Sequence, residues 1–139
     1  MTQGGLGVPT LVILLKGAGV SLGLACAAIA CATVLAVLLT ALAFSRLLPV
    51  RLFYRLYIYV IRGTPLLVLA MLIFYALPAF DLRTGPYLAA VVVLAIYVAA
   101  LFAEVFRGGV LAIPRPQWES AKSLGLPPGA MLRKVIGPL

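Results

Sequence analysis

The stretch "YLAAVVVLAIYVAALFAEVF", Tyr87 to Phe106, decides the fold of this 139-residue chain. Its twenty positions hold one charged residue, Glu104. A run of about twenty apolar residues is long enough to cross the hydrocarbon core of a bilayer as a helix. The rest of the chain has the same character, since 65% of all residues are hydrophobic and 10% are charged. A soluble domain carries about 25% charged residues, so we expect an all-α integral membrane protein.

A second apolar segment lies near the N-terminus. Residues 17–44 carry no charge and predict the first membrane span. The segment is longer than the apolar region of about 7–15 residues in a secretory signal peptide. Small residues recur every four positions in it, which favours close approach by another helix, although an alanine-rich span also produces such a pattern by chance. These small residues are Gly19, Gly23, Ala27 and Cys31.

The span between these two is interrupted. In "RGTPLLVLAMLIFYALP", Arg62 to Pro78, Thr64 suits an N-cap and Pro65 suits the first helical position. The apolar part that follows would be about 18 Å long as a helix, against about 30 Å for the hydrocarbon core. We therefore expect a span at about 56–77 that is broken or bent at its centre, as in proteins whose backbone lines a transport path. Four residues form the predicted helix start: Arg62, Gly63, Thr64 and Pro65.

The basic residues lie unevenly along the chain. Nine of the eleven fall either between the first two predicted spans, where aromatic residues accompany them in a membrane-interface belt, or after the third span. The positive-inside rule then places both regions in the cytoplasm and the N-terminus outside. Nucleic acid is not an expected partner despite the net charge of +8, because the basic residues form no continuous face. The nine are Arg46, Arg51, Arg55, Arg62, Arg107, Arg115, Lys122, Arg133 and Lys134.

A polar stretch, "QWESAKSLG", follows the third span at Gln117 to Gly125. Pro114 and Pro116 precede it and favour a helix start, and Gly125 stands where a left-handed C-cap belongs. The resulting helix of about nine residues is too short to be stable alone in water, so it requires a surface to dock on. Docking on protein is favoured over lying on lipid, because Trp118 is the only large aromatic anchor that the stretch offers.

Three segments of the chain resemble one family. "RGTPLLV", "AEVFRGGVLAIPRPQWESAKSLGL" and "RKVIGPL" together look like the membrane permease subunit of ABC importers for polar amino acids (the histidine, glutamine and arginine type). The loop signature of type I importers reads E-A-A, three residues, then G, with I-x-L-P further on. Glu119 and Ala121 match the first part, and Gly125 matches the glycine. Three positions depart from the family pattern: Pro116, Ser120 and Gly137.

The resemblance implies a fold and a mechanism. The fold would be the type I importer transmembrane fold, with three N-terminal spans and a cytoplasmic coupling loop at about 107–139. A coupling helix in that loop would transmit the motion of a separate ATPase to the spans of an amino acid importer in the bacterial inner membrane. The implied coupling residues are Trp118, Glu119, Ser120, Ala121, Ser123 and Gly125.

The resemblance also implies partners. They are the ATPase subunit, a second permease subunit (a copy or a paralogue), an extracytoplasmic amino-acid-binding protein and membrane lipid. ATP and Mg²⁺ would bind to the ATPase, since this chain has no P-loop motif. The chain itself is expected to be no enzyme and to hold no cofactor or metal, and it has no histidine.

The third span, 87–106, carries the candidate substrate contact. Carboxylates within spans are functional candidates by default, and Tyr97, Ala100 and Glu104 share one helical face. That face could line the substrate path, with Glu104 meeting an ammonium or guanidinium group. The alternative is a structural ion pair between Glu104 and Arg107, three residues further on.

Other interpretations stay open at this stage. A membrane scaffold without a transport role would explain the spans but not the polar helix after them. Permeases of this family usually have five spans, so the chain is also expected to be a piece of a permease that would not transport alone. The sequence leaves open which amino acid is carried.

Overall fold

The computed structural model describes residues 8–79 and 85–125 of the chain. These residues form five α-helices and include no strand. Two of the helices are long and apolar enough to cross a membrane, and a third crossing results if a bent helix pair is one span. The helices are α1 (Val8–Ala43), α2 (Leu48–Gly63), α3 (Leu66–Ala79), α4 (Pro86–Ala112) and α5 (Arg115–Ser123).

Helix α1 is longer than the predicted first span. It begins at Val8 rather than at residue 17 and includes Lys16. Its 36 residues correspond to about 54 Å, so α1 exceeds the hydrocarbon core of about 30 Å by several turns.

Helices α1 and α4 run parallel along an extended contact. Gly23 of α1 lies beside the Tyr87 hydroxyl near the start of α4, and Thr40 lies beside the Ala103 carbonyl seventeen residues further along α1. Parallel neighbours require the chain to return between them, and α2 and α3 are the helices between α1 and α4 in the chain. We call the central contact the alanine seam: Ala32 and Ala36 of α1 with Ala99 and Ala103 of α4, all fully buried.

The predicted small-residue face of α1 holds only in part: Gly23 lies against Tyr87 of α4, and Ala27 is half-buried. Cys31 is exposed, and a Cβ at Gly19 would meet no described atom within 4 Å. The contact is made instead by Ala28, Ala32 and Ala36. They have the same spacing of four but lie about 100° further round the helix.

The basic stretch predicted to be a membrane-interface belt forms the helix α2, which begins at Leu48, before the predicted start of the second span at about 56. Pro49 occupies its first turn, where a missing N–H costs nothing. Its inward positions recur at helical spacing, and the basic residues lie elsewhere around the helix. The inward positions are Val50, Tyr54, Tyr57, Ile58 and Ile61, all buried or half-buried.

The break between α2 and α3 falls where the sequence predicted it, but it is sharper than a kink. The two axes differ by 107°, so α2 crosses the bundle and does not lengthen α3 along its own axis. Thr64 does not cap α3: its hydroxyl donates back to the Val60 carbonyl at 2.7 Å, and the Pro65 carbonyl accepts the first α3 bond, from Leu69 N–H at 3.1 Å. The helix start is thus one residue later than predicted, and α3 continues through Pro78, where the pattern had predicted its end.

Helix α4 continues beyond the predicted end of the third span. It ends at Ala112, so residues 107–112, predicted to begin the coupling loop, are helical. The helix passes through Gly108 and Gly109 and stops only before Pro114, which restricts the residue before it to extended backbone. Residues 126–139 of the predicted loop lie outside the described part of the chain.

Candidate functional site

Helix α5 follows α4 after a two-residue connection, Ile113 and Pro114. Ile113 is extended, with φ −70° and ψ 123°, and the Pro114 carbonyl accepts a bond from Gln117 N–H at 3.0 Å. At the other end Gly125 has φ +65°, the left-handed conformation predicted for its C-cap position. The helix has nine residues, as predicted, and lies two positions earlier than the polar stretch suggested. A connection this short holds α5 in a fixed relation to the end of α4.

The surface of α5 is polar and open in the described structure. Glu119, Ser120 and Ser123 are exposed, and Trp118 is half-buried. Both serine hydroxyls bond within the helix, Ser120 to the Pro116 carbonyl and Ser123 to the Glu119 carbonyl, each at 2.9 Å. The family pattern has alanine at position 120. The Ser120 hydroxyl already donates within α5, so it needs no partner outside the helix. The side chain of Ala121 is not among those described.

A second polar group lies at the C-terminal half of α4, around Glu104. The Tyr54 hydroxyl donates to Glu104 Oε1 at 2.6 Å. Arg107 donates from Nε to Oε1 at 2.9 Å and from Nη2 to Oε2 at 3.3 Å. Arg62 Nη1 lies 3.7 Å from Oε2. The Glu104 side chain has 26% of its surface exposed. We call these four residues the Glu104 cluster; it joins α2 and the helix break to α4.

The predicted substrate face is only partly accessible in this chain. Ala100 is fully buried, and Tyr97 is half-buried. Glu104 is paired with Arg107 at 2.9 Å, as the alternative interpretation of this carboxylate expected. The carboxylate is shared among three partners, so a substrate cation would compete with two guanidinium groups for it.

Two residues of the Glu104 cluster did not emerge from the sequence as partners of Glu104. Tyr54 is fifty positions away and was assigned to an interface belt, and Arg62 was assigned only to the helix start. The helical spacing of the apolar and aromatic residues of α2 could have predicted that Tyr54 faces the bundle. Tyr54 is the most buried residue of that helix.

A cleft of about 620 Å³ opens beside the Glu104 cluster, between α2 and the ends of α1 and α4. Four guanidinium groups and one carboxylate line it, together with Ala43, Ile58 and two tyrosines. We call it the arginine cleft, after Arg51, Arg55, Arg62 and Arg107.

Parallel apolar helices, a sharply broken helix between them, and a short polar helix fixed to the end of the last span define a membrane component of a transport system. Residues 32–139 match the family described as "binding-protein-dependent transport system inner membrane component". The chain belongs to this family, which comprises the membrane permeases of ABC importers. The expected all-α, type I importer fold is thereby confirmed.

Relatives and a solved structure agree with this assignment. The chain is 39% identical over 102 residues to the L-cystine transport system permease protein TcyB of Bacillus subtilis (strain 168), covering 73% of this chain and 44% of the relative. It is 39% identical over 138 residues to the octopine transport system permease protein OccM of Rhizobium radiobacter, covering 93% and 56%. A crystal structure of an amino acid ABC transporter with histidines superposes with a TM-score of 0.74 at 32% identity, over 91% of this chain and 63% of that one. The chain thus spans about half the length of the curated relatives it matches.

Proposed function

We propose that this chain forms part of the permease of an ATP-driven amino acid importer, and that α5 is the coupling helix that docks on the ATPase. The observation that carries the proposal is the geometry of α5. It is a short helix, capped by Gly125, attached to a membrane helix through two residues, and polar on its open side. The cargo class rests on the relatives, one of which is named for L-cystine transport, and on the solved amino acid transporter.

The proposed mechanism is a rigid-body transfer of motion. A nine-residue helix about 13 Å long cannot bend appreciably, and the extended Ile113–Pro114 connection leaves little slack. ATP-driven closure of the ATPase would therefore move α5 and the end of α4 together. Because α4 packs on α1 along the alanine seam, the displacement would pass to both long helices at once.

The proposal includes an orientation and partners. The C-terminal ends of α1 and α4 lie on one side of the bundle, together with the basic residues of α2, and the positive-inside rule makes that side cytoplasmic. The N-terminus is then outside the bacterial inner membrane. ATP and Mg²⁺ would bind to the ATPase, and a second permease subunit and an extracytoplasmic amino-acid-binding protein would complete the importer.

Cysteine crosslinking tests the docking role of α5. The exposed native cysteines Cys26 and Cys31 are first replaced by alanine, and Glu119→Cys or Ser123→Cys is introduced. The full chain is expressed in bacterial membranes together with a candidate ABC ATPase into whose permease-facing cleft a cysteine has been introduced. Arg46→Cys is the control, because Arg46 is exposed at the same end of the bundle but lies outside α5.

Disulfide-linked adducts between chain and ATPase are expected for the two α5 positions and not for the control. Absence of adducts from both α5 positions in a complex that still copurifies would contradict the proposal. Equal adduct yields from the control would show contact without specific docking by α5, which also contradicts it.

A further inference from the structure

The arginine cleft has more positive charge than the chain neutralises. Four arginines line it, and Glu104 is its only acidic residue. The chain has three acidic residues in all, and both ion pairs among the described residues use Glu104. Arg51 and Arg55 are exposed and have no carboxylate within ion-pair distance in the described structure.

The arginines of α2 converge because of helical spacing. Arg51, Arg55 and Arg62 are four and seven positions apart, which places them within about 40° of one another around the helix. Arg107 enters from α4, where its two hydrogen bonds to Glu104 fix its guanidinium plane. The cleft is thus a concave, cationic surface formed by two helices rather than a row of separate surface charges.

The surroundings of the cleft are apolar. On α2, Leu52 and Leu56, about 60° and 100° round the helix from Arg55, are more than half exposed. The amphipathic helix therefore presents arginines on one side and large apolar groups on another, as helices at a membrane interface do. A ligand that fits both features carries a phosphate beside hydrocarbon chains.

We propose that the arginine cleft binds the phosphate headgroup of an anionic phospholipid, whose acyl chains lie along the apolar side of α2. Arg51 and Arg55 make the principal contacts to the phosphate, because the Glu104 carboxylate already engages Arg62 and Arg107. Arginine suits this role, since its planar donors match phosphate oxygens two at a time. Basic pockets between transmembrane helices are known lipid headgroup sites. The proposal concerns a lipid site and does not depend on the transport function.

The test measures lipid retention by the full chain purified in a neutral detergent. Native mass spectrometry compares bound phosphatidylglycerol with phosphatidylcholine of the same acyl chains. The Arg51→Gln/Arg55→Gln pair is expected to lower the affinity for phosphatidylglycerol about thirty-fold, from about five-fold for each arginine near a lipid phosphate. Arg46→Gln, an exposed arginine just outside the cleft, is the matched control and is expected to change it less than two-fold.

Further arms separate the cleft from general charge effects. The Arg51→Lys/Arg55→Lys pair keeps both charges but loses the planar pairs of donors, so its preference is expected to fall between those of wild type and the glutamine pair. The proposal is overturned if wild type shows no preference for phosphatidylglycerol, or if Arg46→Gln loses as much as the glutamine pair. Displacement of the lipid by equimolar glycerol phosphate or inorganic phosphate would overturn the lipid assignment in favour of a free phosphate site. Because retention is measured without any ATPase, a failure of ATPase docking would leave this result unchanged.

Discussion

Helix α4 meets its two neighbours through surfaces of opposite construction. Toward α1 it presents alanines that are completely buried, and the contact between the helices is long and nearly free of polar groups. Toward α2 it presents the Glu104 carboxylate and the Ile96 carbonyl, and the contact is made by the Tyr54 and Tyr57 hydroxyls and by arginine. Both surfaces lie on one helix, less than two turns apart.

The difference shows what each contact can do. Small side chains let two backbones approach closely, which gives many weak contacts and one rigid pair of helices. Hydrogen bonds and ion pairs are directional, so they fix the orientation of a helix that lies across the bundle after a 107° turn. The alanine seam therefore accounts for rigidity, and the Glu104 cluster accounts for the placement of α2 and the helix break.

The largest expected effect comes from overfilling the alanine seam. Ala36→Leu forces α1 away from α4 and should lower the free energy of unfolding in detergent by about 1–3 kcal/mol, or block insertion altogether. Ala41→Leu makes the same change on the exposed side of α1 and should stay within about 0.5 kcal/mol. Denaturant titration of both variants makes the comparison. Equal effects would mean that the seam is not closely packed.

A smaller loss is expected from removing the charge at the centre of the Glu104 cluster. Glu104→Gln keeps the side-chain shape but leaves Arg62 and Arg107 without a counter-charge, at a cost of about 2 kcal/mol. The cost is below that of a fully buried pair, because both arginines are partly exposed. Glu119→Gln, in the exposed helix α5, is the matched control and should be neutral. A neutral Glu104→Gln by the same titration would show that packing alone positions α2.

The next effect isolates one hydrogen bond. Tyr54→Phe removes the donor to Glu104 while keeping the buried ring, and should cost about 1 kcal/mol. Tyr59→Phe on the same helix is the control, since Tyr59 is 80% exposed. Combined with Glu104→Ala, which removes the acceptor, the tyrosine change should cost much less than it does alone, because the two groups interact directly. Simple additivity in the double variant would separate Tyr54 from the cluster.

The sequence predicted the long apolar helices and the short capped helix well, because each has a local signal. Uncharged runs identified α1 and α4, and Gly125 marked the end of α5. It missed the N-terminal half of α2, since arginine and tyrosine in one stretch suit a membrane-interface belt as well as an amphipathic helix. The inward spacing of Tyr54, Tyr57 and Ile61 distinguishes the two, once it is compared with the positions of the arginines.

The Glu104 cluster could be predicted only in part. The pair with Arg107 follows from a spacing of three on one helix. The contacts to Tyr54 and Arg62 depend on the angle at which α2 crosses α4, and that angle follows from the turn between α2 and α3. The sequence predicted that the helix breaks there but not the angle of the break. The arginine cleft depends on that angle, so it could not be predicted.

The smallest expected effect tests whether the alanine seam depends on its one described polar contact. The Thr40 hydroxyl lies 2.7 Å from the Ala36 carbonyl and 3.3 Å from the Ala103 carbonyl of α4. Thr40→Val should cost about 0.5 kcal/mol, close to the average for hydrogen bonds between membrane helices. Thr33→Val is the control, because that hydroxyl bonds only to Ile29 of its own helix. If Thr40→Val lowered the free energy of unfolding as much as Tyr54→Phe does, both faces of α4 would depend on polar contacts. The two faces would then differ in the geometry of their contacts and not in the kind of contact.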